Sequence, residues 1–201
     1  MASGKMSARQ KMINLMYLVF IAMLAMNMSK EVLSAFGFMN EKLTENNAST
    51  TAKNNEAYAN LATKASEQKA KFGPLKIQAD KIQVLSADFY SYLEDLKTKM
   101  TADVEDKKDY ETMDKTAFLD EYFFEGDKFT PEGEVFLGKI NGYRDDVNTA
   151  LGDNTKFSTT LNARFSTEDV VNRDGKTVKW LEYRYQGFPL VASLTNLTQM
   201  Q

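Results

Sequence analysis

The chain has 201 residues, a length typical of one domain or two small ones, and it contains neither histidine nor cysteine. That composition excludes Ser-His-Asp triads, cysteine nucleophiles, disulfides and zinc sites built from His and Cys. A formal net charge of −3 argues against a nucleic-acid-binding protein, since such proteins usually carry a basic excess. We find no phosphate loop, nucleophile elbow or pair of catalytic carboxylates, and therefore expect a protein without enzymatic activity, cofactor or metal.

An uncharged apolar segment lies near the N-terminus, where residues 12–28 read MINLMYLVFIAMLAMNM. As a helix it would be roughly 25 Å long, a little under the ~30 Å hydrocarbon core, and flanking residues can make up the difference. Lys5, Arg9 and Lys11 precede the segment, and the positive-inside rule places them in the cytoplasm. We predict a cytoplasmic N-terminus over 1–11, a transmembrane helix over 12–30, and a mainly α, helical-bundle domain across the membrane over 31–201.

Two alternatives for the apolar segment stay open, a cleaved signal peptide and a buried core helix. Apolar residues then continue at helical spacing from Met28 through Val32, Phe36 and Met39 to Leu43. This pattern indicates either one continuous helix from the membrane into the outer domain, or simply the core face of the first helix of the bundle.

The next elements are predicted from polar breaks and apolar spacing. Residues 46–51 (NNASTT) favour a bend or a helix start, and the helix that follows is expected to stop at Gly73-Pro74. A clear amphipathic helix comes next. Its apolar face comprises Ile82, Leu85, Phe89, Tyr92, Leu93, Leu96 and Met100.

Acidic residues are concentrated between residues 94 and 134. A calcium site would have to use Glu121, Glu125, Asp127 and Glu132, but the spacing matches no calcium loop. A solvated acidic surface is the better interpretation of this stretch.

The C-terminal part is predicted to contain helices and one hairpin. A helix opens at the N-cap pair Thr130-Pro131 and ends near Gly152. Its expected inward residues are Val135, Phe136, Ile140, Tyr143 and Val147. Residues 172–176 are predicted to form a turn before an alternating segment over 178–185, which suggests a hairpin or an extended corner. A last helix is expected from Leu190, with Leu194 and Leu197 inward.

Two stretches resemble a known family. Residues 7–25 (SARQKMINLMYLVFIAMLA) and 27–33 (NMSKEVL) are closely similar to the N-terminus of the GldM family, called PorM in some species. The pattern W-x(7)-F-P-L-x-A from Trp180 is a looser match. Family members are considerably longer, so the resemblance implies that the chain comprises the membrane helix and the first of several periplasmic domains.

The resemblance implies a motor function in the inner membrane. GldM proteins pair with the polytopic protein GldL to form a motor driven by the proton-motive force, which powers type IX secretion and gliding motility. A homodimeric pair of GldM helices would sit inside a GldL ring, expected to be a pentamer. The periplasmic part would reach toward outer-membrane secretion and gliding components. The alternative is a passive single-pass scaffold or sensor whose periplasmic bundle binds a ligand.

The resemblance also assigns roles to residues near the membrane. Arg9 would meet a membrane-embedded glutamate of GldL, and Tyr17 would hydrogen-bond a partner group inside the ring. The alternative for Arg9 is a cytoplasmic anchor that belongs to the positive-inside charge, and the alternative for Tyr17 is interfacial anchoring or helix packing. Because no acidic or basic residue lies between Met12 and Ser29, the proton-carrying carboxylate must belong to the partner. The positions predicted to pack helices in the membrane are Asn14, Ile21, Ala25 and Met28.

Overall fold

The structure, a computed structural model, describes residues 8–26, 30–115, 117–152 and 155–201. Over these ranges the chain is mainly helical, as predicted. The helices are α1 (Ala8–Met26), α2 (Lys30–Glu67), α3 (Lys69–Met100), α4 (Ala117–Phe123), α5 (Pro131–Leu151), α6 (Thr155–Arg164), α7 (Trp180–Tyr185) and α8 (Leu190–Met200). A short 3-10 turn spans Tyr110–Thr112.

Two small antiparallel hairpins connect the helices. In the first, β1 (Phe124–Glu125) pairs with β2 (Lys128–Phe129), and in the second, β3 (Val170–Val171) pairs with β4 (Thr177–Val178). The second hairpin confirms the predicted turn, which the backbone bond from Asn172 N–H to the Lys176 carbonyl closes at 2.9 Å.

Two long helices form the frame of the domain. The 38 residues of α2 extend about 57 Å and the 32 residues of α3 about 48 Å. Gln68 alone separates them, and α3 packs back along α2. Helix α8 also packs against α2, where the Asn47 side-chain amide donates to the Thr198 carbonyl at 2.9 Å.

Two predicted breaks are wrong. Helix α2 continues through residues 46–51, because Asn, Ser and Thr cost only a few tenths of a kcal/mol each in a helix and the contact of Asn47 with α8 offsets part of that cost. Likewise α3 begins at Lys69 and passes through Gly73 and Pro74. The chain reverses earlier, at Gln68, whose backbone has left the helical region. Pro74 lies close to the start of α3, where its missing N–H removes one helical hydrogen bond.

The core lies between α3, α4, α5, α7 and α8 and includes Leu33 of α2. The predicted apolar face of α3 is confirmed at its C-terminal half. The buried residues there are Phe89, Leu93, Leu96 and Met100. In α5 the predicted burial of Phe136, Ile140 and Val147 is confirmed. Val135 is exposed, because it lies about 100° around the helix from Phe136.

The ends of α5 follow the predicted signals. The Thr130 side chain accepts a hydrogen bond from Gly133 N–H at 3.1 Å, and Gly152 ends the helix with a φ of 59°. The predicted strand over 178–185 is wrong beyond Val178, because residues 180–185 form α7. Leu181 and Tyr185 are four residues apart and both fully buried, a spacing that a helix satisfies.

Candidate functional site: the N-terminal helix and its junction

Helix α1 exposes its side chains on every side. All residues over 9–21 are exposed, and every residue over 12–21 except Asn14 is apolar or aromatic. Met16 and Tyr17 are 72% and 67% exposed. Because successive residues lie about 100° apart around a helix, apolar groups face all directions.

Such a surface requires an apolar environment. A helix that is hydrophobic all round belongs in a membrane or in the interior of an assembly. Burying a large apolar side chain contributes roughly 1.5–3 kcal/mol, so covering this segment would contribute on the order of 10 kcal/mol. Within the part of the chain described above, however, no helix combines the length and apolar character needed to cross a membrane. The span predicted over 12–30 therefore stays a prediction.

The predicted site residues lie on this helix where the structure describes them. Arg9, Asn14, Tyr17 and Ile21 are all exposed on α1. Arg9 and Tyr17 are about 12 Å apart along an ideal helix and about 80° apart around it, so they face neighbouring directions. Asn14 and Ile21, seven residues apart, share one face. Ala25 belongs to α1 but its side chain lies outside the described part, and Met28 lies outside the described residues altogether.

The base of α2 is held by a distant segment of the chain. Lys30 Nζ pairs with Glu111 Oε2 at 3.0 Å, and the hydrogen bond with this carboxylate raises the pKa of the lysine. Further along α2, a glycine accommodates an aromatic ring: a Cβ at Gly37 would lie 2.0 Å from Tyr110 Cδ2. The Tyr110 hydroxyl donates to Glu41 Oε1 at 3.1 Å. Burial raises the pKa of this phenol, and the bond to Glu41 raises it further.

The start of α8 closes the same junction. Leu190 N–H donates to the Lys115 carbonyl at 2.9 Å, and Val191 N–H donates to the Met113 carbonyl at 3.3 Å. The Thr195 hydroxyl lies 3.1 Å from the Phe36 carbonyl of α2. We call residues 110–115 and 190–195 the collar. The collar therefore contacts α2 between residues 30 and 41.

Sequence reasoning missed Gly37 and Tyr110 as parts of this junction. Helix propensity alone describes Gly37 as a residue that weakens a helix by ~1 kcal/mol relative to Ala. A glycine inside a helix, between Phe36 and Phe38, also signals a close approach by another group. For Tyr110 we find no such signal, because it lies in an acidic stretch without apolar periodicity.

A second exposed apolar surface lies on α2, next to the collar. We call Val32, Ala35, Phe38 and Met39 the α2 stripe; all four are exposed, and Phe38 is 64% exposed. They lie within about 120° of one another around the helix. This stripe is a second exposed apolar surface among the described residues.

The acidic stretch gives no evidence of a cation site. Over the described residues, no three carboxylates come close enough to hold a metal ion. Of the ion pairs that the described residues form, two involve this stretch, Lys30–Glu111 and Lys97–Glu94, and their carboxylate side chains are 45% and 44% exposed.

Residues 31–201 match the sequence model of the GldM N-terminal domain. The match begins at the second residue of α2 and includes the collar and every helix that follows. Among curated proteins, none matches the chain.

Proposed function

The chain belongs to the GldM family, and we propose that it is an inner-membrane subunit of a motor that uses the proton-motive force to drive gliding and type IX secretion. Family membership supports a role in the gliding and type IX secretion machinery. The observation that carries the more specific proposal is α1: an apolar helix exposed on all sides, followed by the long helix α2 and its collar.

In this proposal α1 is enclosed by partner subunits. Its described uncharged part covers residues 12–26. The all-round apolarity of its described residues supports an interior lined by protein. A ring of GldL-type polytopic subunits, expected to be a pentamer, would supply that lining, with residues 1–11 in the cytoplasm and residues 31–201 in the periplasm.

The proton would move through the partner. The segment between Met12 and Ser29 carries no acidic or basic side chain, so a carboxylate of the ring must bind and release the proton. Arg9 would pair with that group only while it is ionised, since a guanidinium forms strong paired hydrogen bonds with carboxylate. One charge that crosses about 100 mV releases roughly 2.3 kcal/mol, enough to break a partly buried ion pair and form it again. Tyr17 would hydrogen-bond a partner group further inside.

A second copy of the chain would share the ring. The α2 stripe supports this homodimer, because it exposes apolar groups immediately beyond the helix that enters the ring. The native chain has no cysteine, so single cysteines report contacts without background. Phe38→Cys should form a disulfide-linked dimer in membranes, whereas Ala87→Cys, exposed on α3, should stay monomeric. Equal cross-linking at both positions would contradict the paired arrangement.

The motor role is tested by comparing two cations of the same segment. Arg9→Ala should abolish gliding and secretion while membrane insertion and co-purification of the polytopic partner persist. Lys11→Ala is the matched control, since Lys11 is also exposed on α1 and also contributes to the positive-inside charge. Its activity should stay near that of the wild type. Equal, mild defects in the two variants would show that Arg9 is only an anchor, and the proposed coupling would be wrong.

A further inference from the structure

A cavity of about 820 Å³ lies between α2, α5, α7 and α8, where residues 163–168 form one wall. Its inner surface includes Ile140, Phe165 and Trp180. A volume of this size is typical of sites for small organic molecules. Neither the match with the GldM N-terminal domain nor the motor proposal gives this cavity a role.

Two exposed arginines, Arg164 and Arg184, line the cavity. In the described part of the chain, neither Arg164 nor Arg184 forms an ion pair, and no side-chain hydrogen bond engages either guanidinium. Glu168 also lines the wall, which leaves an excess of one positive charge. The other polar lining residues are Thr50, Ser166 and four amides, of which Gln199 has no side-chain hydrogen bond in the described part of the chain and Asn47, Asn196 and Gln201 bond within the domain. This part of the cavity therefore suits an anion.

A buried hydroxyl adds a donor at the inner end. Tyr185 is fully buried, and among the described residues its O–H finds only Met200 Sδ, 3.6 Å away. A thioether is a weak acceptor, so an oxygen of a bound molecule would be a better partner. Burial raises the pKa of this phenol, and the group therefore keeps its proton at neutral pH.

The wall is fixed in place before any molecule binds. Arg144 Nη1 donates to the Phe165 carbonyl at 3.3 Å, and the Thr167 hydroxyl donates to Asn141 Oδ1 at 2.8 Å. The Phe165 ring packs edge-on against Tyr143, with 5.1 Å between the ring centroids. These contacts tie the wall to α5, and a preformed site loses little ordering entropy on binding.

We propose that this cavity binds an organic carboxylate carried on an apolar body. The carboxylate lies at Arg164 and Arg184, because guanidinium groups form charge-assisted hydrogen bonds with carboxylates. The apolar body lies over Trp180 and Phe165. This binding activity goes beyond the motor role and does not depend on it.

Trp180 makes the proposal directly measurable, since it is the only tryptophan of the chain and lines the cavity. The full chain in a sugar detergent is titrated with 4-phenylbutyrate while the single indole N–H resonance is followed by NMR. We expect a saturable shift. Arg164→Gln and Arg184→Gln should each weaken binding about 10- to 100-fold, as expected for loss of a hydrogen bond between charged groups. Arg173→Gln, in the exposed turn after β3, is the matched control and should bind like the wild type.

A neutral analogue separates the anion site from simple apolar binding. 4-Phenylbutanamide should bind at least about 10-fold more weakly than the acid. A blocked Phe-Glu dipeptide is titrated in parallel. Comparison of its affinity with that of 4-phenylbutyrate shows whether the site prefers a peptide or a free acid. The proposal is overturned if neither carboxylate shifts the Trp180 resonance saturably, if the amide binds as tightly as the acid, or if Arg173→Gln weakens binding as much as the two cavity variants.

Discussion

The contact between Gly37 and Tyr110 allows a sharp prediction about the collar. Gly37→Ala adds a methyl group 2.0 Å from Tyr110 Cδ2 and 2.1 Å from Cγ, so the ring must leave its place. Both ring atoms lie close to the backbone of Tyr110, so a small rotation of the side chain cannot remove the clash with the new methyl group. Tyr110 would lose its burial, roughly 1.5–3 kcal/mol for a large apolar side chain, and its bond to Glu41, about 1 kcal/mol.

Helix propensity acts in the opposite direction and stabilises the variant. Alanine is better than glycine inside a helix by about 1 kcal/mol. Gly37→Ala should therefore lower the free energy of unfolding by about 1–3 kcal/mol, measured by urea denaturation followed through Trp180 fluorescence. Gly138→Ala is the matched control, because nothing lies within 4 Å of a Cβ at this exposed position of α5, and it should raise stability by up to about 1 kcal/mol. In a Tyr110→Ala background, Gly37→Ala should also become stabilising. A Gly37→Ala protein as stable as Gly138→Ala would refute the close contact.

Two further predictions concern α5 and the end of α3. Thr130→Ala removes the side-chain acceptor for Gly133 N–H and should lower the free energy of unfolding by about 1 kcal/mol in urea titrations; an unchanged midpoint would show that the cap is not needed. For Glu94, burial acts to raise the pKa, but hydrogen bonds from Lys97 at 2.7 Å and Gln201 at 2.6 Å outweigh it and the pKa is lowered. Its stabilising effect is thus present above the usual carboxyl pKa and lost as pH falls through the folded value. Because the Glu94 side chain is 44% exposed, Glu94→Gln should destabilise by less than about 1 kcal/mol at pH 7, and a difference that persists at pH 3 would contradict this assignment.

Local signals predicted the elements whose patterns are unambiguous. The apolar face of α3 repeats at helical spacing, and Thr130 and Gly152 mark the two ends of α5. The prediction failed for residues 180–185 because their pattern is compatible with both a strand and a helix. Apolar and polar residues alternate over 180–185, as in a strand. Leu181 and Tyr185 also lie on one face of a helix, and the helix buries both of them in the core.

The candidate site was also predictable only in part. The apolar character of α1 and the position of Arg9 are visible in the sequence. The collar is not, because it brings residues 30–41 of α2 against residues 110–115 and 190–195. Contacts between segments so far apart depend on the whole fold, and neither Gly37 nor Tyr110 carries a periodic pattern that would reveal them.

The central claim is that protein encloses α1 on all sides, and a photo-cross-linking scan in native membranes tests it most directly. Residues 15–18 point in four directions about 100° apart, and all four side chains are exposed. With p-benzoylphenylalanine placed at each position in turn, we predict that all four yield protein adducts, either with one polytopic membrane protein or with the second copy of the chain. If adjacent positions gave no protein adduct, that side of the helix would face lipid, and an enclosed, force-bearing α1 would be contradicted.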